Sequence, residues 1–326
     1  MMRGQCQSFL TMREVIRRIA ACDVSVLIVG ETGTGKELAA REIHYASARS
    51  CKPFVPVNCG ALPETLIESE LFGHQRGAFT DARTTSAGMV DCAIGGTLFL
   101  DEVDALSLRA QITLLRFLQD HEYRPVGGVR ARIADVRVIA ATNSCLESLV
   151  AKCLFRADLL YRLNPLQLQI PSLRERHGDI ALLAEHFLSE AAHRMHKAPK
   201  HWSRGAVELL KAYPWPGNIR ELENVSLRAF LNADGDEVGV ETLAAAEPAL
   251  ARSGIALAGG APVFFDSTFS SAKSRAVAQF ERAYLTDLMQ RASGNISAAA
   301  GLSGTERRQL GKLLKKHHIE AKLYHS

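Results

Sequence analysis

A glycine-rich turn, Gly30-Glu31-Thr32-Gly33-Thr34-Gly35-Lys36, constrains this chain more than any other stretch. Val24-Ser25-Val26-Leu27-Ile28-Val29 precedes it and predicts a buried strand; Glu37-Leu38-Ala39-Ala40-Arg41-Glu42-Ile43-His44 follows it and predicts a helix. A strand that turns on glycines into a helix makes a phosphate cradle. The glycines let backbone amides approach the anion, the helix N-terminus faces it, and Lys36 adds a charge for the outer phosphates. Glu37 stands where the common motif has Ser or Thr, so the usual hydroxyl ligand to Mg²⁺ is missing.

Further apolar runs at residues 54–59, 95–102, 136–143 and 166–170 predict strands, with helices between them at 64–72 and through Leu108, Ile112, Leu115 and Leu118. Strands alternating with helices argue for an α/β fold with a parallel sheet covered on both faces. After Pro171 the strand pattern stops, and helices at 180–193, 204–212 and 218–232 predict a helical lid. Residues 235–275, rich in Ala, Gly and Ser, read as a linker. From residue 276 a helix returns with Phe280, Tyr284 and Leu288 on one face. Shorter helices follow at 295–301 and 306–316 around Gly304, which is helix-turn-helix spacing.

Composition narrows the setting. No apolar run reaches membrane-span length, and seven Cys without a CxxC pair suggest reduced thiols in a cytoplasmic protein. The net charge is +4, and residues 276–326 alone hold eight Lys/Arg against four Asp/Glu, which points that tail toward an anionic partner.

Asp101-Glu102 ends an apolar strand and supplies the second half of a nucleotide site. Asp101 can hold Mg²⁺ through water, and Glu102 can polarise an attacking water. Asn143 ends the next strand, where it can orient that water, sense the outermost phosphate or cap a helix.

The order of these motifs resembles the AAA+ domain of NtrC-type sigma-54-dependent transcription activators. It runs through Glu70-Leu71-Phe72-Gly73-His74, Gly77-Ala78-Phe79-Thr80, Phe155-Arg156-Ala157-Asp158, Leu173-Arg174-Glu175-Arg176 and Trp215-Pro216-Gly217-Asn218-Ile219-Arg220. The resemblance covers about residues 8–232, and Glu37 after the lysine is usual in that family. It implies an AAA+ P-loop domain at residues 1–234, made of an α/β subdomain (residues 1–170) and a helical lid (residues 171–234). A linker at 235–275 and a Fis-like helix-turn-helix domain at 276–326 complete the expected order.

Carried onto this chain, the resemblance implies ATP on Gly30, Glu31, Thr32, Gly33, Thr34, Gly35, Lys36 and Glu37, with Mg²⁺ managed by Asp101. Glu102 becomes the catalytic base, Asn58 its switch partner and Asn143 the first sensor. Arg156 and Arg162 become arginines presented to a neighbouring subunit's ATP, with Arg162 the finger, and Arg220 the second sensor. A finger supplied in trans implies a ring, typically a hexamer.

Gly77, Ala78, Phe79, Thr80, Asp81 and Ala82 resemble the family's loop that touches sigma-54, with Asp81 where the family has Gly. Arg307, Arg308, Gln309, Lys312, Lys315 and Lys316, on or near a recognition helix, would contact enhancer DNA. Gly311 departs from the family there and costs about 1 kcal/mol of helix propensity. The expected function is ATP-driven remodelling of the sigma-54 RNA polymerase closed complex. The short form resembles members controlled by a separate protein, though it equally fits a truncated longer regulator. Asp81 motivates a rival, a co-regulator or mixed-ring partner without productive sigma-54 engagement. A second rival is a DNA-binding regulator in which ATP only drives assembly.

Overall fold

The computed structural model describes residues 2–79, 82–250, 269–292, 294–317 and 319. The chain divides into two compact units, Met1–Ile255 and Ala256–Ser326. In the first, strands β1 (Val26–Val29), β2 (Phe54–Asn58) and β3 (Thr97–Asp101) are followed by a two-residue antiparallel pair, β4 (Glu122–Tyr123) with β5 (Arg132–Ile133), and then by β6 (Arg137–Thr142) and β7 (Leu166–Gln169). The long strands form one parallel sheet in the order β2-β3-β6-β1-β7, so each predicted strand is present.

Both faces of that sheet are buried, which is why its strands read as continuous apolar runs rather than alternating ones. Val26, Ile28, Phe99, Ile139 and Ala141 point to one side, against α1 (Gln7–Ala20) and α2 (Lys36–Tyr45). Leu27, Leu98, Leu100, Val138 and Ala140 point to the other, against α3 (Glu64–Phe72), α4 (Met89–Cys92), α5 (Leu108–Asp120), α6 (Leu146–Ala151) and α7 (Ala157–Leu163). Truncating a fully buried member such as Phe99 to Ala would cost about 3–5 kcal/mol.

The lid packs α8 (Ile180–Met195), α9 (Arg204–Ala212) and α10 (Asn218–Asn232) around Trp215, which is fully buried and donates its indole N–H to the Leu210 carbonyl at 2.8 Å. Buried Asp179, just before α8, accepts the Gln5 and Cys6 amides at 2.7 and 3.0 Å and pairs with buried Arg176, so the N-terminal segment is tied to the base of the lid. The reading of residues 235–250 as linker is corrected. β8 (His201–Trp202) pairs with β9 (Glu237–Val238), and α11 (Val240–Ala246) buries Leu243, Ala246 and Leu250 in the lid core. The Ala-rich composition that suggested a linker belongs to a strong helix former with a thin apolar stripe. Residues 251–268 of the expected linker lie outside the described residues.

The second unit contains α12 (Phe269–Arg291), α13 (Ile296–Ser303) and α14 (Arg307–Lys316). Asn295 caps α13, accepting the Ser297 and Ala298 amides, and Gly304 (φ +63°) ends it in the left-handed turn that glycine adopts freely. α12 turns Leu285, Leu288, Met289 and Ala292 into the helical core, so Leu288 lies there as expected while Tyr284 is exposed; the side chain of Phe280 lies outside the described residues.

Candidate functional site

Gly33 and Gly35 of the glycine turn both have positive φ (+78° and +93°), and Lys36 starts α2. Lys36 folds back across the turn, its Nζ donating to the Gly30 and Glu31 carbonyls at 3.0 and 3.3 Å. Burial lowers its pKa, and the negative field of Asp101, Asp104 and Glu102 opposes that shift. Thr34 Oγ1 closes the turn on the Glu31 carbonyl at 2.8 Å. A cavity of ≈330 Å³ opens in front, lined by Lys36, Glu37, Asn58, Asp101, Glu102, Asn143 and Arg220 among others. Glu37 lines it while pairing with Arg41 at 2.8 Å along α2. This donor set of amides, the cations Lys36 and Arg220, and two carboxylates at a strand end fits a magnesium-bound nucleotide. Among the described residues no group of three or more His, Cys, Asp and Glu has metal-holding geometry, so substrate phosphates and water would complete a magnesium shell.

Glu102 has φ +55°, a left-handed conformation uncommon for Glu. Its amide donates to Asp101 Oδ1 at 3.0 Å, and its carboxylate reaches over Gly60, where a Cβ would collide with it. The crowding of carboxylates shows in buried Cys59, whose thiol is pushed up to about 12 by burial and then by Asp101, Asp104 and Glu102. Asn58 ends β2 at the same cavity as Glu102. Its Oδ1 accepts the Gly60 and Ala61 amides at 2.8 and 3.1 Å, and no hydrogen bond to Glu102 is present among the described residues. Asn143 Nδ2 donates to Thr32 Oγ1 at 2.9 Å, which ties the end of β6 to the phosphate loop.

Arg156 and Arg162 are not in this cavity. Arg156 pairs with Asp158 at 2.7 Å. Arg162 lines a separate ≈330 Å³ cavity with Asp23, Arg49, His121, Asp135 and Arg137, beside the strand starts.

In the 77–82 loop, Gly77 donates to the Ala82 carbonyl at 2.8 Å and Ala82 to the Phe79 carbonyl at 3.0 Å. Ala82 is buried and braces the base of the loop. Phe79 keeps 36% of its surface exposed, yet its ring packs edge-on against His74 with centroids 5.0 Å apart. Thr80 and Asp81 lie outside the described residues.

On α14, Leu310 and Leu314 face the helical core, while Arg307, Arg308, Gln309, Lys312, Lys315 and Lys316 are exposed. Lys316 pairs with Glu281 of α12 at 2.7 Å and so braces the unit as well as extending its basic face.

Comparison with known proteins agrees with this architecture. A sigma-54 interaction domain model matches residues 2–169, an AAA+ ATPase lid domain model 174–252, and a Fis-family bacterial regulatory protein model 276–317. The chain belongs to the NtrC-type sigma-54 activator family. It is 43% identical over 312 residues to the transcriptional regulatory protein GlrR of Escherichia coli K12, covering 96% of this chain and 67% of GlrR. It is 42% identical over 306 residues to the regulatory protein AtoC of the same organism, covering 93% of this chain and 64% of AtoC. Among solved structures it resembles NtrX from Brucella abortus in complex with ATP (TM-score 0.74, 33% identity), covering 98% of this chain and 70% of that one. The chain thus spans about two thirds of the length of the regulators it matches. Among the described residues no helix is long and apolar enough to cross a membrane.

Within this NtrC-type activator, several residues at the site escaped the sequence reading. Asn218, fully buried with φ +53°, donates from Nδ2 to Glu31 Oε2 and the Thr32 carbonyl, both at 3.1 Å, and accepts the Leu173 amide at 2.8 Å. The Ile219 amide donates to the Gly33 carbonyl at 3.0 Å, so the lid rests directly on the phosphate loop. Arg174 pairs with Glu31, and that pair, then Asn218, lowers the Glu31 carboxyl to about 2. The Asn-Ile-Arg run after Gly217 carried the sequence cue for these contacts, but only the fold brings it to the loop.

Proposed function

We propose that this chain is a cytoplasmic sigma-54-dependent transcription activator that hydrolyses ATP in a ring of its own copies, typically a hexamer. In this reading residues 1–250 form the motor with its lid, and residues 276–326 bind enhancer DNA. The reading is carried by one observation. The cavity at the strand ends holds Lys36, Asp101, Glu102 and Asn143, while Arg162 sits apart at the strand starts.

Lys36 and the amides of the turn would bind the phosphates, and Arg220 on the lid would reach them from above. Asp101 would hold Mg²⁺ through water beside Glu37, and the metal would neutralise phosphate charge there. Glu102 would accept the proton of the attacking water. Arg162 of one copy, supported by Arg156, would stabilise charge in the site of the next. Phe79 would leave His74 to engage sigma-54, and Arg307, Arg308, Gln309, Lys312 and Lys315 would hold DNA.

The test is open-complex formation by the full chain with sigma-54 polymerase on a supercoiled template carrying its enhancer, found by footprinting. Open complexes should require hydrolysable ATP and vanish with Glu102→Gln. Open complexes that survive Glu102→Gln would leave ATP an assembly role only. Hydrolysis without open complexes, restored by Asp81→Gly, would make the chain a co-regulator instead.

A further inference from the structure

β3 and β6 lie side by side, but their ladder ends at Leu100 and Ala140, where the nucleotide cavity opens. Beyond that point a side chain takes over. Asp104, in the single 3-10 turn Val103–Ala105 after Glu102, accepts the Thr142 hydroxyl on Oδ1 at 2.6 Å and the Ser144 hydroxyl on Oδ2 at 2.8 Å. Each hydroxyl has one proton to give, and each gives it to a different oxygen of the same carboxylate.

The two routes reach the phosphate loop at two points, its first residue and its middle. Thr142 is fully buried, and its carbonyl accepts the Gly30 amide at 3.2 Å, where the loop begins. Thr142 Oγ1 also accepts the Ser144 amide at 3.0 Å, which fixes the bend around Asn143. Asn143 then donates to Thr32 at 2.9 Å, in the middle of the loop. A hydroxyl bound to a carboxylate is among the stronger neutral-to-charged hydrogen bonds, so both routes are stiff. Without Asp104, the nearest other acceptor for the Thr142 hydroxyl is the Ser144 carbonyl at 3.4 Å, and turning to it would re-aim the bend.

We propose that Asp104 is a positioning residue for ATP hydrolysis, acting through Thr142 and Ser144 to hold Asn143 and the phosphate loop in register with Glu102. The inference rests on the hydrolysis reading above. Asp104 stands three residues beyond Asp101, and nothing in its immediate sequence marks it as part of the site. A rival role is purely electrostatic, as a negative charge near Lys36. The isosteric amide separates the two, since it removes the charge and keeps oxygen and nitrogen partners for the hydroxyls.

The experiment uses the full chain with Asp104→Ala, Asp104→Asn, Ser144→Ala and the Asp104→Ala/Ser144→Ala pair. ATPase kinetics are read beside equilibrium binding of a fluorescent ATP analogue and hydrogen–deuterium exchange of nucleotide-free protein. Asp104→Ala should lower kcat about 10- to 100-fold, as expected for sub-ångström misplacement, with nucleotide affinity changed less than about threefold. Asp104→Asn should recover most of that loss, and the pair should be no worse than Asp104→Ala alone. Exchange should rise at residues 28–36 and 141–145 but not in the lid.

Asp104→Asn as impaired as Asp104→Ala would overturn the proposal in favour of charge, and multiplying effects in the pair would overturn the shared route. If the unaltered chain hydrolyses ATP and Asp104→Ala matches it, the proposal fails while the hydrolysis reading stands. If the unaltered chain hydrolyses nothing, that reading fails, and the exchange arm still decides whether Asp104 holds the loop.

Discussion

At the C-terminal edge of the central sheet, Asp101, Glu102 and Asn143 surround a glycine turn whose only cation, Lys36, is folded onto carbonyl oxygens. At the N-terminal edge, Arg49, Arg137 and Arg162 meet Asp23 and Asp135 around a cavity of similar volume. Two of those arginines are committed within the chain. Arg49 bridges Asp23 and Asp135, each at 2.7 Å, and Arg137 donates to the Ile19 and Val24 carbonyls. Arg162 is the exposed member of the set. One edge has acids, amides, Lys36 and Arg220 around its cavity, and the other presents the exposed Arg162 at a distance from it. A parallel sheet keeps strand starts and strand ends apart, so a single chain cannot unite them.

The largest effect should come from forcing that union to occur between copies. Arg162→Ala and Glu102→Gln should each lower ATPase activity about 10³-fold. An equimolar mixture at the same total concentration should regain a readily measured fraction, because some interfaces then pair an intact Glu102 with an intact Arg162. A mixture as silent as its components would mean that the edges do not meet across copies.

Next come paired substitutions that sort the edges by what they control. Gly60→Ala places a Cβ against the Glu102 carboxylate and should lower kcat by about 10²-fold with nucleotide binding retained. Arg49→Met should do the reverse, costing about 1–2 kcal/mol in urea unfolding and leaving KM within about twofold. The modest figure reflects Asp23 and Asp135, whose side chains stay 59% and 74% exposed and can be solvated once unpaired. A stability loss in Gly60→Ala without a rate loss would erase the distinction.

The C-terminal edge was largely legible in the sequence because its chemistry is written in short runs. The glycine turn, Asp101-Glu102 and Asn143 each end an apolar strand, and in a parallel sheet all strand ends share one side. What escaped depends on long-range pairing. Asn218 and Arg174 meet Glu31 across more than 140 residues, and Asp104 reaches Thr142 and Ser144 across a gap where the ladder stops. On α12 the partner helices bury Leu285 and Met289 beside the expected Leu288 and leave Tyr284 exposed, which periodicity alone does not decide. The lid's last helix was hidden because alanine serves helix and linker composition alike. Phe79 was legible as a residue but not as a conformation, because its resting contact is a His74 five positions away in a turn.

A weaker test concerns the clip between lid and loop. Arg174→Ala removes the Glu31 pair, which is surface-exposed and screened, so a two- to fivefold rise in the KM for ATP is expected, shrinking as salt is raised. An unchanged KM at low salt would assign lid placement to Asn218 alone.

The smallest effect separates the two edges by pH. His44 lies at the N-terminal edge, fully buried, with Nδ1 2.9 Å from Thr97 Oγ1 and Nε2 without a partner. Burial lowers its pKa, because a protonated ring would place a charge in the core, and a contact with the Lys52 backbone only partly opposes this. Below about pH 6.5 the unfolded chain takes up a proton that the folded chain refuses. Stability therefore falls as pH drops through that value, and levels off only once the folded histidine also protonates. Glu31 at the other edge behaves oppositely. Its carboxyl is lowered to about 2, so its contribution is complete above about 4.5 and is lost only as pH falls toward 2. Between pH 7 and 5.5 only the N-terminal edge should respond. Urea midpoints should decline over that range in the unaltered chain, and the decline should flatten in His44→Asn, which cannot titrate. A decline of equal slope in both would remove His44 as its source.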